Sequence, residues 1–123
     1  MLVVDDHPIN RLLMDAMLKK AGWSSVSAEG AKEAMDALKG GLKPDVILMD
    51  IRMPDIDGFA ATKLVRQWES AADRPRIPIL ALSADVLEES RSRALQEGMD
   101  GYMTKPINLE RLVETLQTFI QPQ

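Results

Sequence analysis

The chain has 123 residues, a net charge of -4 and no cysteine. Its length suits one domain with its own core, and 46% hydrophobic with 28% charged residues describes a globular chain, not a disordered one. The negative balance gives no electrostatic reason to expect nucleic acid or an anionic membrane as a partner, and the missing cysteines exclude disulfides and thiolate metal sites.

No apolar run approaches the roughly 20 residues of a spanning helix. Leu2 already opens the first apolar run, leaving no room for a secretory leader. That abrupt start reads as a domain cut from a longer protein, and a cytoplasmic address is compatible with the composition. The last helix is followed closely by Gln123, so no output domain is expected after it.

"MLVV" reads as a short β-branched strand ending at Asp5-Asp6. "HPINRLLMDAMLKKAG" reads as a helix with Pro8 near its start and Gly22 at its stop. Its expected inward face is Ile9, Leu12, Leu13, Ala16 and Met17. "WSSVSAE" is a weaker strand, and "GAKEAMDALKGG" a second helix with Ala34, Met35 and Leu38 inward. "PDVILMD" is an apolar strand. "GFAATKLVRQWES" is a third helix after a loop rich in Pro, Asp and Gly, where Asp55 and Asp57 read as turn residues and Gly58 suits tight backbone geometry. "RIPILALSA" is another apolar strand with Pro78 near its beginning. "DVLEESRSRALQEG" is a polar helix, "MDGYMTKP" holds a short fifth strand, and "NLERLVETLQTFI" is a last helix. Asn108 is its expected cap, with Leu109, Leu112, Val113, Leu116 and Ile120 facing the core. Strand–helix alternation repeated five times argues for an α/β domain: a parallel sheet with helices on both faces, spanning residues 1–123.

In open α/β sheets, ligands bind outside the carboxyl ends of the strands. Asp5 and Asp6 end the first strand, Asp50 the third, Ser83 the fourth, and Thr104-Lys105-Pro106 the fifth. Three converging carboxylates repel unless a cation intervenes. Mg²⁺ meets that need, because it takes hard oxygen ligands and commonly binds one or two carboxylates together with a phosphate oxygen. Lys105 adds a fixed positive charge and Ser83 a hydroxyl. The set suits phosphoryl transfer, with Asp50 as a carboxylate nucleophile. His7 is the only histidine, which excludes a multi-histidine zinc site, and a local role at the first helix is the simpler reading. Met14, Met17, Met35 and Met49 fit core packing, and no basic patch is interleaved with Trp23 and Trp68 to bind bases.

"LVVDDHPINR", "ILMDIRMPDIDGF", "LALSA" and "GYMTKPI" resemble, in order, the motifs of response-regulator receiver domains, over the whole chain. The resemblance implies a flavodoxin-like, doubly wound (βα)5 fold with strand order 2-1-3-4-5. It implies that Asp50 accepts a phosphoryl group from a phosphohistidine on a histidine kinase or histidine phosphotransfer domain, without multiple turnover. Asp6 would bind Mg²⁺ directly, Asp5 would assist, and the backbone carbonyl of Arg52 would complete the protein's ligands. Ser83 would bind a phosphoryl oxygen, Ala84 would leave room for the group, and Lys105 would pair with Asp50 or its phosphate across a cis Lys105–Pro106 bond. Tyr102 would follow Ser83 as the switch aromatic, altering the face of the fourth helix, fifth strand and fifth helix. Arg52 and Asp85, each two positions beyond a site residue, are expected to flank the mouth and govern access of water.

"DDHPINRLLM" and "KPINLERLVETL" look most like receivers attached to hybrid sensor histidine kinases. The alternative context is a free-standing regulator. An alternative class is a Mg²⁺-dependent phosphatase with an aspartyl nucleophile, which would place an acid/base Asp where Arg52 stands. A flavin-binding module of the same fold would need a phosphate-cradling loop after the first strand, and none is evident.

Overall fold

The computed structural model describes residues 1–54, 56–84 and 88–120. In chain order it contains β1 (Leu2–Val4), α1 (Pro8–Lys20), β2 (Val26–Ala28), α2 (Ala31–Lys39), β3 (Ile47–Asp50), α3 (Gly58–Ala71), β4 (Ile79–Ser83), α4 (Glu88–Gln96), β5 (Gly101–Thr104) and α5 (Leu109–Phe119). The strands are all parallel, in the order β2-β1-β3-β4-β5. This is the expected doubly wound sheet. No helix among the described residues is long and apolar enough to cross a membrane.

Alternation along the strands divides the core into two layers. Leu2, Val4, Ile47, Met49, Ile79 and Ala81 face α2 and α3. Val3, Leu48, Leu80, Leu82 and Met103 face α1 and α5. Because both sheet faces are covered, β3 and β4 are buried at every position. Each large side chain buried there contributes about 1.5–3 kcal/mol. On α2, Ala31, Ala34, Met35 and Leu38 are buried, as the periodicity predicts. On α5, Leu112 and Leu116 are buried, whereas Leu109, Val113 and Ile120 are half-buried. Asn108 caps α5, its side chain accepting from the Arg111 N–H at 2.8 Å.

The inward face expected for α1 is incorrect except at Met17. Ile9, Leu12 and Leu13 are 61%, 71% and 57% exposed, and Ala16 is exposed with them. Met14 and Leu18 make the buried stripe, and Met17 packs beside them. The helix is apolar around most of its circumference, so periodicity offered two stripes. The true one is disguised by Arg11, half-buried, whose guanidinium donates to the Asp5 carbonyl at 2.7 Å.

At the amino end of β4, an ion-pair network ties α3 to the two loops. Asp100 accepts from Arg66 Nη2 at 2.7 Å, from the Ile79 N–H at 2.9 Å and from Arg76 at 3.0 Å. Glu69 accepts from Arg66 at 2.8 Å and from the Ile77 N–H. At the carboxyl end, the loop after β3 folds tightly against the strand. Asp57 caps α3 by accepting from the Ala60 N–H at 2.9 Å. The Gly58 N–H donates to the Ile51 carbonyl at 2.8 Å.

A Cβ on Gly58 would lie 2.4 Å from the Asp50 carbonyl oxygen and 2.7 Å from the Ile51 Cα. These neighbours are backbone and cannot swing aside. Gly58→Ala is therefore expected to lower stability by about 1–3 kcal/mol, read as a reduced urea midpoint. An unchanged midpoint would mean that the loop accommodates the methyl group without cost.

Candidate functional site

Parallel pairing brings the carboxyl ends of β1, β3, β4 and β5 to one rim. Asp5 follows β1 and is 2% exposed; Asp50 ends β3 and is 4% exposed. Asp6 is exposed beside them. One carboxylate oxygen from each of Asp5, Asp6 and Asp50 lies within 4.8 Å of the others.

Backbone contacts hold this cluster. The Asp5 N–H donates to the Ala28 carbonyl at 3.1 Å, fixing the end of β1 against β2. Asp5 Oδ1 accepts from the His7 N–H at 2.9 Å. His7 is the cap residue of α1 and is exposed; its contribution is this backbone group, in keeping with a local role. Lys105 Nζ donates to Asp50 Oδ1 at 3.1 Å and lies 3.8 Å from Asp5 Oδ2. The Lys105 N–H donates to the Ser83 carbonyl at 2.7 Å, so β4 positions the lysine. The Lys105–Pro106 bond is cis.

Burial, then the Asp5 charge, push the Asp50 pKa above the ordinary carboxylate value. Lys105 and a hydrogen bond from the Arg52 backbone N–H oppose the shift without cancelling it. Among the described residues Lys105 is the cation paired with these carboxylates, and Arg11 reaches only the Asp5 carbonyl, so three acids still outnumber the nearby positive charges. The donor set is all oxygen and closely spaced, which fits a hard divalent cation such as Mg²⁺.

Ser83, 3% exposed, ends β4 one residue beyond the partner of Asp50 in the ladder. Ala84 is exposed and lines an apolar cleft with Lys105 and Pro106. Tyr102 is half-buried in β5, with the Arg91 guanidinium 5.7 Å from its ring centroid. The Arg52 side chain is exposed. Asp55 and Asp85 lie outside the described residues, so the expected Arg52–Asp85 guard is not described as a pair. Sequence reasoning missed two features at this rim. One is the exposed apolar face of α1, whose Leu13 and Met17 line the cleft with Asp5 and Lys105. The other is Arg93, which reaches a second cleft beside Ser83.

A family model described as response regulator receiver domain matches residues 1–117. The chain is 38% identical over 115 residues to the sensor protein GacS of Pseudomonas syringae pv. syringae, covering 94% of this chain and 13% of that protein. This chain thus spans about one eighth of that relative's length. Two solved structures are similar over nearly the whole chain. The receiver domain of a sensor histidine kinase from Pseudomonas aeruginosa, with magnesium coordinated in its active-site cleft, is 35% identical with a TM-score of 0.84, covering 98% of this chain and 96% of that one. The receiver domain of the Saccharomyces cerevisiae response regulator Ssk1, co-crystallised with the histidine phosphotransfer protein Ypd1, is 29% identical with a TM-score of 0.88, covering 96% and 86%.

The raised pKa gives a signed stability effect. As pH falls through the folded-state pKa of Asp50 toward the ordinary carboxylate value, the native protein takes up a proton more readily than the unfolded chain and gains stability. Above that window the ionised, buried carboxylate is a cost. Asp50→Asn is therefore expected to raise the Tm of the metal-free protein at neutral pH, and the gain should shrink in acid. Added Mg²⁺ should raise the wild-type Tm more than the variant's. Thermal melts across pH check this, and a gain that persisted undiminished in acid would remove the electrostatic explanation.

Proposed function

The chain belongs to the response regulator receiver domain family, and from that premise we propose that residues 1–123 form one phosphorylation-switched domain in which Asp50 accepts a phosphoryl group from a phosphohistidine. The observation that carries this reading is the buried Asp50 carboxylate at a strand end, clustered with Asp5 and Asp6 and held by Lys105 at 3.1 Å.

In the proposed step an Asp50 carboxylate oxygen attacks phosphorus, and the phosphorus–nitrogen bond to the donor imidazole breaks with its electron pair left on the ring. Lys105 keeps its positive charge beside the acceptor oxygen and follows the charge that moves onto the phosphoryl oxygens. The Ser83 hydroxyl donates to one of those oxygens. Asp5, Asp6, Asp50 and the Arg52 backbone carbonyl would hold Mg²⁺, which supplies neutralisation of the charge gathered on the transferring group. Tyr102 follows Ser83, altering the surface of α4, β5 and α5 and shifting a two-state equilibrium that a partner reads.

The similarity to GacS supports a place within a hybrid sensor histidine kinase, on the cytoplasmic side of a membrane-bound protein. The partner would be a phosphohistidine-bearing kinase or phosphotransfer domain. Ile9, Leu12 and Leu13 form an apolar surface beside the phosphoacceptor rim, and Leu13 shares a cleft of about 440 Å³ with Asp5 and Lys105. A soluble domain exposes such a patch at the cost of solubility unless a partner covers it. The complex of the similar Ssk1 receiver with Ypd1 favours a phosphotransfer domain as the occupant.

Incubation with Mg²⁺ and acetyl phosphate is expected to add one phosphoryl group by intact mass, with none added to Asp50→Asn. A label that survives in Asp50→Asn would sink the assignment. Steady turnover of small phosphate esters would favour the phosphatase class instead. The α1 surface makes a separate prediction. Leu13→Asp should slow transfer from a phosphorylated phosphotransfer domain by about ten-fold or more while leaving labelling by acetyl phosphate near wild type. Equal loss with both donors would mean damage to the site itself.

A further inference from the structure

A second cleft, of about 570 Å³, opens between the β3–α3 loop and α4. Its lining includes Arg52, Met53, Phe59, Ser83, Ser90 and Arg93. It shares Ser83 with the phosphoacceptor rim, and Ile51 and Arg52, the two residues after Asp50, line it as well. Its volume falls in the range of small-molecule sites.

Two positive charges line it. Among the described residues, neither the Arg52 nor the Arg93 guanidinium has a carboxylate oxygen within 4.0 Å. Asp57 also lines the cleft, but one of its oxygens is engaged by the Ala60 N–H as the cap of α3. Arg93 is held in place: its guanidinium carbon lies 4.3 Å from the ring centroid of Phe59, which is itself 7% exposed. Stacking on a fixed ring leaves the N–H edges of the guanidinium available and limits the freedom lost when they bind an anion.

The chemistry at Asp50 says which anion would benefit. With an acyl phosphate donor, an Asp50 oxygen bonds to phosphorus while the phosphorus–oxygen bond to the acyl group breaks. The electron pair leaves on the acyl oxygen, the product is a free carboxylate, and no proton moves. A carboxylate is the partner that a guanidinium fork binds best, through two parallel hydrogen bonds. With phosphoramidate, the phosphorus–nitrogen bond breaks and neutral ammonia departs, so an arginine at the exit gains nothing.

We propose that this cleft is a leaving-group subsite in which Arg93 receives the carboxylate released from a small acyl phosphate, making the domain selective among small phosphodonors. The proposal rests on Asp50 being the phosphoacceptor. Arg93 acts on the departing group and not on the phosphoryl group, which sets it apart from Lys105.

The test is the initial rate of phosphorylation, followed by intact mass with Mg²⁺, for wild type, Arg93→Gln and Arg93→Lys, each with acetyl phosphate and with phosphoramidate. In Arg93→Gln the acetyl phosphate rate should fall about five-fold, the scale of one exposed charge pair, with the phosphoramidate rate unchanged. Arg93→Lys should retain part of the acetyl phosphate rate, because charge remains without the fork. The phosphoramidate arm also reports whether the variant is folded and its site intact. An equal fall with both donors, or no change with either, would overturn the subsite. If the wild type takes up a phosphoryl group from neither donor, the phosphoacceptor reading fails first and the subsite fails with it.

Discussion

The rim is organised around a single unfavourable fact: Asp50 is a carboxylate at 4% exposure with a second buried carboxylate, Asp5, beside it. Burying charge costs free energy unless it is paired and hydrogen-bonded, and one lysine does not balance three acids. Neighbouring features limit that cost. Lys105 lies within hydrogen-bond distance of Asp50 because its own N–H is tied to Ser83. The Arg52 N–H reaches the Asp50 carboxylate because the chain turns sharply after β3. That turn requires Gly58, since any side chain there would collide with the Asp50 and Ile51 backbone. A glycine eight residues from Asp50 is thus part of what places that carboxylate.

The two ends of the same sheet show how differently charge can be handled. At the amino end, Asp100 and Glu69 spend their oxygens on arginines and backbone N–H groups, and the charges are matched. That end is a satisfied network, and satisfied networks fix one arrangement. The carboxyl end is left with surplus negative charge. A cation or a new hydrogen-bonding group at that end would offset the surplus. The contrast places matched charge at one pole and surplus charge at the other, with β4 joining the two.

The sequence reveals the site better than it reveals the surface. Strand–helix alternation implies a parallel sheet, and a parallel sheet gathers strand-end residues. Asp5, Asp6, Asp50, Ser83 and Lys105 are therefore grouped by the sequence pattern alone. Asn108 was legible for a similar reason, because capping is decided within four residues; Asp57 was legible only as a turn residue, and its cap on α3 comes from the structure. The α1 face was not legible. Ile9, Leu12 and Leu13 have the helical spacing of a core stripe, and only the direction in which the sheet lies shows that Met14 and Leu18 are the buried pair. Arg93 was invisible for another reason. Its role depends on Phe59, 34 positions earlier and on another helix, and no local pattern encodes that contact.

Those same long-range contacts are what hold α4 in place. Among its described residues only Ala94 is buried, and Leu95 is 56% exposed, so little apolar area holds the helix down. Just past its carboxyl end it is pinned, because Arg66 and Arg76 both donate to the Gly98 carbonyl, at 3.0 and 3.1 Å. Nearer the rim, Arg93 lies over Phe59 and Arg91 over Tyr102. Cation–π contacts of this kind are each worth about 0.5–1 kcal/mol at exposed sites, far less than a buried leucine contributes. These two ties join α4 to β5 and to α3. The polar composition of α4 thus accords with its shallow packing: an apolar stripe there would bury more area against the sheet and hold the helix more firmly.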